Sequence, residues 1–408
     1  MRCRSVAVNL GLIGMLWCAA AWSQAPSPSL PQPTLPPPAP APMTPAPSVA
    51  GEAWVLLDHA TGRVLAGHNE REPRPPASLT KIMTGYVVAA EIAAGRVHED
   101  DQVRISENAW REGGAGTDGS FSALVVNSEV RLGDVLRGLV VQSGNDAAIA
   151  LAEHVAGSEA AFADLMNRYA AQLGMTESHF VNAHGLTAEG HVMSARDVAL
   201  LGRAMIAQFP EHYRLYSVKE YTYNGIKQYN RNGLLWKDDS VDGIKTGHTS
   251  AAGYCLAASA EREGQRLISV VMGIQGGRSD GFRLREEGNQ SLLNWGFRTF
   301  ETHTVYAVDA VVHAPTVWQG TADQVNLGVA QPLQVTIPRG RYADLQAKMQ
   351  LPAQLVAPIE QGAEVGRVTL KLGDELVADV PLVAQQAVPA GGFFKRTMDG
   401  FWMWWESD

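Results

Sequence analysis

Cysteine is scarce in this sequence. Cys3 and Cys18 lie near the N-terminus and Cys255 stands alone in an apolar run, so a chain that loses its first 23 residues can form no internal disulfide. Cys255 is therefore expected to be a small buried hydrophobe and not a reactive thiol. Basic charge is also in deficit. The chain has 33 Lys and Arg against 42 Asp and Glu, a formal net charge of −9. With no basic stripe to neutralise phosphates, nucleic acid is excluded as a partner. Metal-ligand spacing is missing as well. His184 and His191 share a polar loop, but no third ligand stands at a spacing that would close a site. Both are expected to make loop hydrogen bonds, and neither a metal nor a cofactor is expected. Apolar runs long enough to span a bilayer are lacking too: Val6 to Trp17 is short, and so is the C-terminal aromatic stretch.

What the N-terminus does contain is the pattern of a secretory signal over residues 1–23. Arg2 and Arg4 precede the apolar run, and Ala21-Trp22-Ser23 is a small-x-small cleavage site. A lipoprotein modified at Cys18 is disfavoured because bulky Trp17 precedes it. Residues 24–50 collapse to Pro, Ala, Ser and Thr and are expected to form an extended spacer. Residues 51–302 have the periodicities of a folded domain, residues 303–388 have short alternating runs of an all-β domain, and residues 389–408 end in an amphipathic helix. Phe394, Met398, Phe401, Trp402 and Trp405 share one face of that helix, with Lys395 and Arg396 near its start. Such a helix can lie in a lipid interface, so a membrane surface is the expected partner. The alternative is docking onto the chain's own β domain.

Chemistry concentrates after Pro75 and Pro76. Ile82, Tyr86, Ala89 and Ala93 recur every three or four residues, which predicts a helix with Ser78 in or near its first turn. Residues three apart share a helix face, so Lys81 can carry its amine back towards the Ser78 hydroxyl. A serine hydroxyl becomes a nucleophile once a nearby base takes its proton, and a lysine kept neutral can do that. Ser-x-x-Lys alone is common, and its plain reading is a helix cap followed by a solvated lysine. Two further motifs change the reading: Ser143-Gly144-Asn145, at the break between helices predicted over 132–141 and 147–156, and Lys245-Thr246-Gly247, at the end of a predicted strand. Residues 101–130 read as loops with short strands. Ser158 and Ser194 should cap further helices, the first carrying the apolar stripe Phe162, Leu165, Met166, Tyr169 and Leu173. Strands near 54–66 and 241–273 enclose these helices in sequence. That order implies one antiparallel sheet whose first and last strands meet, with a helical body packed beside it.

Longer stretches surround these motifs: Ala77-Ser78-Leu79-Thr80-Lys81, Leu139 to Ala147 with Gln142-Ser143-Gly144-Asn145-Asp146, Asn230-Arg231-Asn232-Gly233, and Val241 to Thr249 with Asp242-Gly243-Ile244-Lys245-Thr246-Gly247-His248. Together they resemble the low-molecular-weight penicillin-binding proteins, D-alanyl-D-alanine carboxypeptidases of the peptidase S11 type. The likeness runs from about Ala53 to the C-terminus. It implies an α+β fold: a serine β-lactamase and penicillin-binding-protein-like catalytic domain, then a small all-β domain and a C-terminal amphipathic helix. It implies acyl transfer on the D-Ala-D-Ala end of peptidoglycan stem pentapeptides, inhibition by β-lactams, a role in cell wall biogenesis and cell shape, and a place on the periplasmic face of the inner membrane.

By this resemblance Ser78 is the nucleophile and Lys81 its general base. Ser143 and Asn145 move protons and hold the substrate amide. Lys245 keeps Lys81 unprotonated by like-charge repulsion. Thr246 and Gly247 contact the substrate, with Arg231 and Arg285 near its carboxylate. Backbone amides of Ser78 and His248 form the oxyanion hole. Gly144 replaces the Asp usual in β-lactamases. A serine β-lactamase is one rival, but the Glu-x-x-Leu-Asn loop of class A enzymes is absent, since Gly190-His191-Val192 follow Glu189. A non-catalytic wall-binding scaffold is the other rival, and the intact motifs argue against it.

Overall fold

The computed structural model describes residues 22–25, 30, 44–117 and 119–406. Nearly all of the expected signal segment and most of the spacer lie outside the described residues. The chain forms two compact units, one of residues 38–302 with 336–340, the other of residues 303–335 and 341–408 with the N-terminal residues.

The first unit is built on a five-stranded sheet. Its strands are β1 (Ala53–Asp58), β2 (Val64–His68), β3 (Val241–Thr249), β4 (Gly253–Arg262) and β5 (Gln265–Ile274). They run in the order β2-β1-β5-β4-β3, every neighbouring pair antiparallel. The first strand does meet the last: Val55 of β1 lies opposite Val270 of β5. Asp58 closes the β1–β2 turn, its Oδ1 accepting from Thr61 N at 2.9 Å. Helices cover both faces, which is why β1, β4 and β5 are apolar almost throughout instead of alternating. On one side lie α1 (Thr80–Ala93) and α5 (Ala195–Gln208), packed through Ile82, Met83, Val198 and Leu201. On the other, α6 (Arg278–Thr299) packs Leu292, Leu293 and Trp295 against Leu56, Leu256 and Leu267.

The helical body adds α2 (Leu132–Arg137), a π turn over Gly138–Gln142, α3 (Asn145–Ala156) and α4 (Glu159–Gln172). Ser158 caps α4 by accepting from Ala161 N at 3.2 Å, and Ser194 caps α5 from Asp197 N at 3.1 Å. In the predicted α4 stripe Phe162 and Met166 are fully buried and Leu165, Tyr169 and Leu173 pack against them. One expectation needs correction. Residues 101–130 contain the expected short strands, Gln102–Arg104 paired with Glu129–Arg131, but also a helix over Glu107–Gly113 capped by Ser106. That helix buries only Ala109 and Gly113, too few apolar positions for a readable period.

Among the described residues the second unit is all-β apart from a 3₁₀ turn, Tyr342–Asp344, and one α-helix. Strands β6 (Leu345–Pro352), β7 (Glu364–Leu372) and β8 (Glu375–Ala384) form an antiparallel meander. Leu345, Ala347, Met349 and Leu351 face inward and alternate with exposed residues, the period of a half-buried strand. The strand Trp22–Ala25 pairs with the free edge of β6. Helix α7 (Phe393–Glu406) is tied to this unit along one face: Asp399 Oδ2 accepts from Gln319 N at 2.6 Å, Lys395 pairs with Asp323 at 2.5 Å, and Gln354 Nε2 donates to the Met403 carbonyl at 3.2 Å. Its other face leaves Phe394, Met398, Phe401, Trp402 and Trp405 exposed. Docking and an open aromatic face, posed as alternatives from sequence, coexist. Among the described residues no helix is long and apolar enough to cross a membrane.

Candidate active site

Ser78 occupies a 3₁₀ turn, Ala77–Leu79, immediately ahead of α1, and Lys81 lies in the first turn of that helix. The two side chains face each other, Lys81 Nζ donating to Ser78 Oγ at 3.2 Å. Lys81 is 1% exposed, and the same amine also donates to Asn145 Oδ1 and to the His184 carbonyl, each at 2.6 Å. A buried amine with three acceptors around it is held in one rotamer, as a base must be.

The second motif is shaped by the end of the π turn. Ser143 takes a left-handed conformation, φ 66°, and Gly144 is extended, so that α3 begins at Asn145. A β-carbon on Gly144 would stand 1.9 Å from Ser122 Oγ. This packing excludes the aspartate found there in β-lactamases. Residues 119–124 are tied to the start of α3: Asn145 N donates to the Ser120 carbonyl at 2.7 Å, and the Asp146 carboxylate accepts from Ser122 N at 2.8 Å and Leu124 N at 3.2 Å.

Lys245 and Thr246 are buried on β3. A β-carbon on Gly247 would lie 2.9 Å from the Pro76 carbonyl and 3.3 Å from Ser78 N. Only glycine lets the strand backbone run this close to the Ser78 turn. His248 packs on Tyr254, ring centres 4.0 Å apart. Arg231 hydrogen-bonds Ser120 Oγ, and Arg285 Nη2 donates to the Arg231 carbonyl at 3.0 Å. Every residue expected at the site lines one cavity of about 860 Å³, except Lys81 and Lys245, which are buried.

Burial is the first cause of the lowered Lys81 pKa, about 7, and the Arg231 charge lowers it further, while Asp146 and Glu159 oppose the shift. Lys245 is pushed well below the usual lysine range by burial and by the charges of Lys81, Arg231 and Arg285. The repulsion between the two lysines acts on the pair, and burial is the first cause of the shift of each. Both loop histidines use their ring nitrogens on neighbours. His184 Nδ1 accepts from Leu186 N and its Nε2 lies 3.2 Å from Glu159, while His191 accepts from Val181 N and meets Thr80 Oγ1. Burial lowers their pKa values to about 3 and about 4, so the His184–Glu159 contact is a hydrogen bond of a neutral ring. Cys255 is fully buried and burial raises its thiol to about 11.

Sequence reasoning passed over Asp146, Ser120, Glu159 and the His184 carbonyl. Asp146 directly follows Asn145, but nothing in its neighbours shows that it would accept amides from residues 122 and 124.

Residues 41–276 match the family model described as D-alanyl-D-alanine carboxypeptidase. The chain belongs to the peptidase S11 family. Residues 300–390 match the C-terminal domain of penicillin-binding protein 5. Among curated relatives, the D-alanyl-D-alanine carboxypeptidase DacC of Escherichia coli is 45% identical, covering 86% of this chain and 88% of that protein. DacA of the same organism is 44% identical, covering 86% and 87%. Penicillin binding protein 5 from Haemophilus influenzae has a TM-score of 0.79 at 39% identity, covering 85% of this chain and 99% of that one. The α+β catalytic unit and the all-β unit are thus those of the S11 carboxypeptidases, which are hydrolases.

Proposed function

We propose that the protein is a serine-type D-Ala-D-Ala carboxypeptidase that removes the terminal D-alanine from peptidoglycan stem peptides through an acyl-enzyme on Ser78. The observation that carries the reading is the 3.2 Å approach of a desolvated lysine amine to the Ser78 hydroxyl inside a cavity rich in arginine. The substrate carboxylate is taken by Lys245, Thr246, Arg231 and Arg285, and Asn145 with the β3 backbone at Gly247 and His248 aligns the penultimate residue. Lys81 accepts the Ser78 proton as the oxygen adds to the penultimate carbonyl. The Ser78 and His248 amides hold the oxyanion. Ser143 relays a proton to the departing D-alanine amine, and water then hydrolyses the ester with Lys81 again as base.

A β-lactam enters the same pathway and stays on Ser78, because the Glu-x-x-Leu-Asn motif that carries the deacylating glutamate of class A enzymes is missing from the sequence; Glu189 is exposed. The protein should release D-alanine from a pentapeptide ending in D-Ala-D-Ala. After penicillin treatment its intact mass should rise by one penicilloyl group mapping to the peptide that contains Ser78. Absence of both release and adduct rejects the assignment, and penicillin turnover as fast as acylation would favour the β-lactamase.

The exported location follows from the signal-like N-terminus, and attachment to the periplasmic face of the inner membrane is assigned to the aromatic face of α7. In the cell this activity trims stem peptides, with consequences for wall biogenesis and cell shape. The full chain should co-sediment with lipid vesicles and a form lacking residues 393–408 should stay in the supernatant. Equal binding of the two forms would remove α7 from this role.

A further inference from the structure

The cavity carries more positive charge than one C-terminal carboxylate requires. Arg231, Arg278 and Arg285 all line it, and Glu286 is the acidic residue among the described lining residues. Glu286 is already engaged, accepting from Lys237 Nζ at 2.6 Å. Arg285 is 3% exposed, yet its Nε is buried without a hydrogen-bond partner. Arg278 begins α6, and its guanidinium sits 5.6 Å from the centre of the Phe282 ring one turn on; Arg285 lies 4.5 Å from that same ring. Among the described residues Arg278 has no acidic partner. Burial is the first cause of the lowered pKa values of Arg231 and His248, and the Arg278 charge lowers both further, which sets it beside the groups that receive the substrate. Like charges gathered in a partly desolvated cavity oppose one another until an anion enters, and they raise the local concentration of anions. The inner groups, Lys245, Thr246, Arg231 and Arg285, account for the C-terminal carboxylate. Arg278 is left over.

We propose that Arg278, backed by the Phe282 ring, forms an outer carboxylate subsite, so that the preferred substrates are peptides cleaved after a penultimate D-alanine that bear a second free carboxylate. This rests on the carboxypeptidase reading and narrows its substrate class. A guanidinium offers paired donors suited to a carboxylate, and a rim charge acts on encounter and binding more than on the chemical step. The preference should therefore appear in kcat/KM and weaken as salt is added.

The test compares three peptides on the full chain. In two the penultimate and last residues are D-alanine and the third from the end is either L-homoglutamine or L-α-aminoadipate, an amide and a carboxylate of equal length, neutral and anionic. The last keeps L-homoglutamine and ends in D-glutamate in place of the leaving D-alanine. At low salt the anionic peptide of one arm should exceed the neutral one by roughly fivefold to tenfold in kcat/KM, and the arm that does so tells which side of the scissile bond carries the second carboxylate. In Arg278→Gln that ratio should fall to about one. Equal rates on all three peptides, or a preference that survives Arg278→Gln, overturns the subsite. Such results would leave the carboxypeptidase reading in place, because the leaving residue would still be released. Release from none of the peptides would overturn both.

Discussion

Replacing Lys81 by methionine should slow acylation of Ser78 by roughly a thousandfold while the protein remains folded. The expectation follows from where the amine stands. It is 3.2 Å from Ser78 Oγ, fully buried, and has a pKa of about 7. A base acts only when unprotonated, so covalent penicillin labelling by the parent should rise with pH, reach half its plateau near pH 7 and level off above it. Below that value the amine is protonated and cannot take the serine proton. Methionine fills a similar volume, and its thioether leaves two carbonyl acceptors, Asn145 Oδ1 and the His184 oxygen, without their donor. Against that loss, folding no longer has to hold a lysine amine far below its usual pKa, so the variant should remain folded. A variant that labels at the parental rate, or a parental rate that is flat across the neutral range, would remove Lys81 from the role of base.

Asp146→Ala should damage the structure around the site. The carboxylate is 1% exposed and accepts amides from Ser122, Leu124 and Ala147. Hydrogen bonds to a charged acceptor are worth about 1.5–3 kcal/mol each, and buried amides stripped of their acceptor cost a similar amount. A loss of roughly 3–5 kcal/mol is expected for the catalytic unit, lowering its melting temperature by about 10 °C. Residues 119–124 would be released from α3. Ser120, which Arg231 contacts, would move with them, so kcat/KM should fall at least about tenfold. The surviving activity has a signature that instability alone does not produce. Asp146 raises the Lys81 pKa, so its removal should shift the acid limb of acylation to lower pH. Melting and a pH profile indistinguishable from the parent would show that the carboxylate is neither clamp nor electrostatic partner.

The elements legible in the sequence were those marked by a local period or by the order of apolar runs along the chain. The approach of Lys81 to Ser78 is a consequence of i, i+3 spacing, and the β1–β5 pairing follows from apolar runs at the two ends of the catalytic segment. The short helix Glu107–Gly113 escaped notice because its burial rests on two small residues. The fastening of α7 through Asp399 and Lys395 was hidden for another reason: its partners, Gln319 and Asp323, are far back in the chain.

The sequence by itself determined which chemical groups are present, which helix face they share, and through the motif order the family to which the chain belongs. These depend on covalent neighbours and on the period of the helix. Only the tertiary structure decided that burial lowers the Lys81 pKa to about 7, that Lys245 is buried beside it, that Asp146 holds residues 119–124, and that Arg278 joins the cavity of Arg231 and Arg285. Burial, hydrogen-bond partners and charge–charge distances are set by segments far apart in sequence, and they acquire values only when the sheet and its helices bring those segments together.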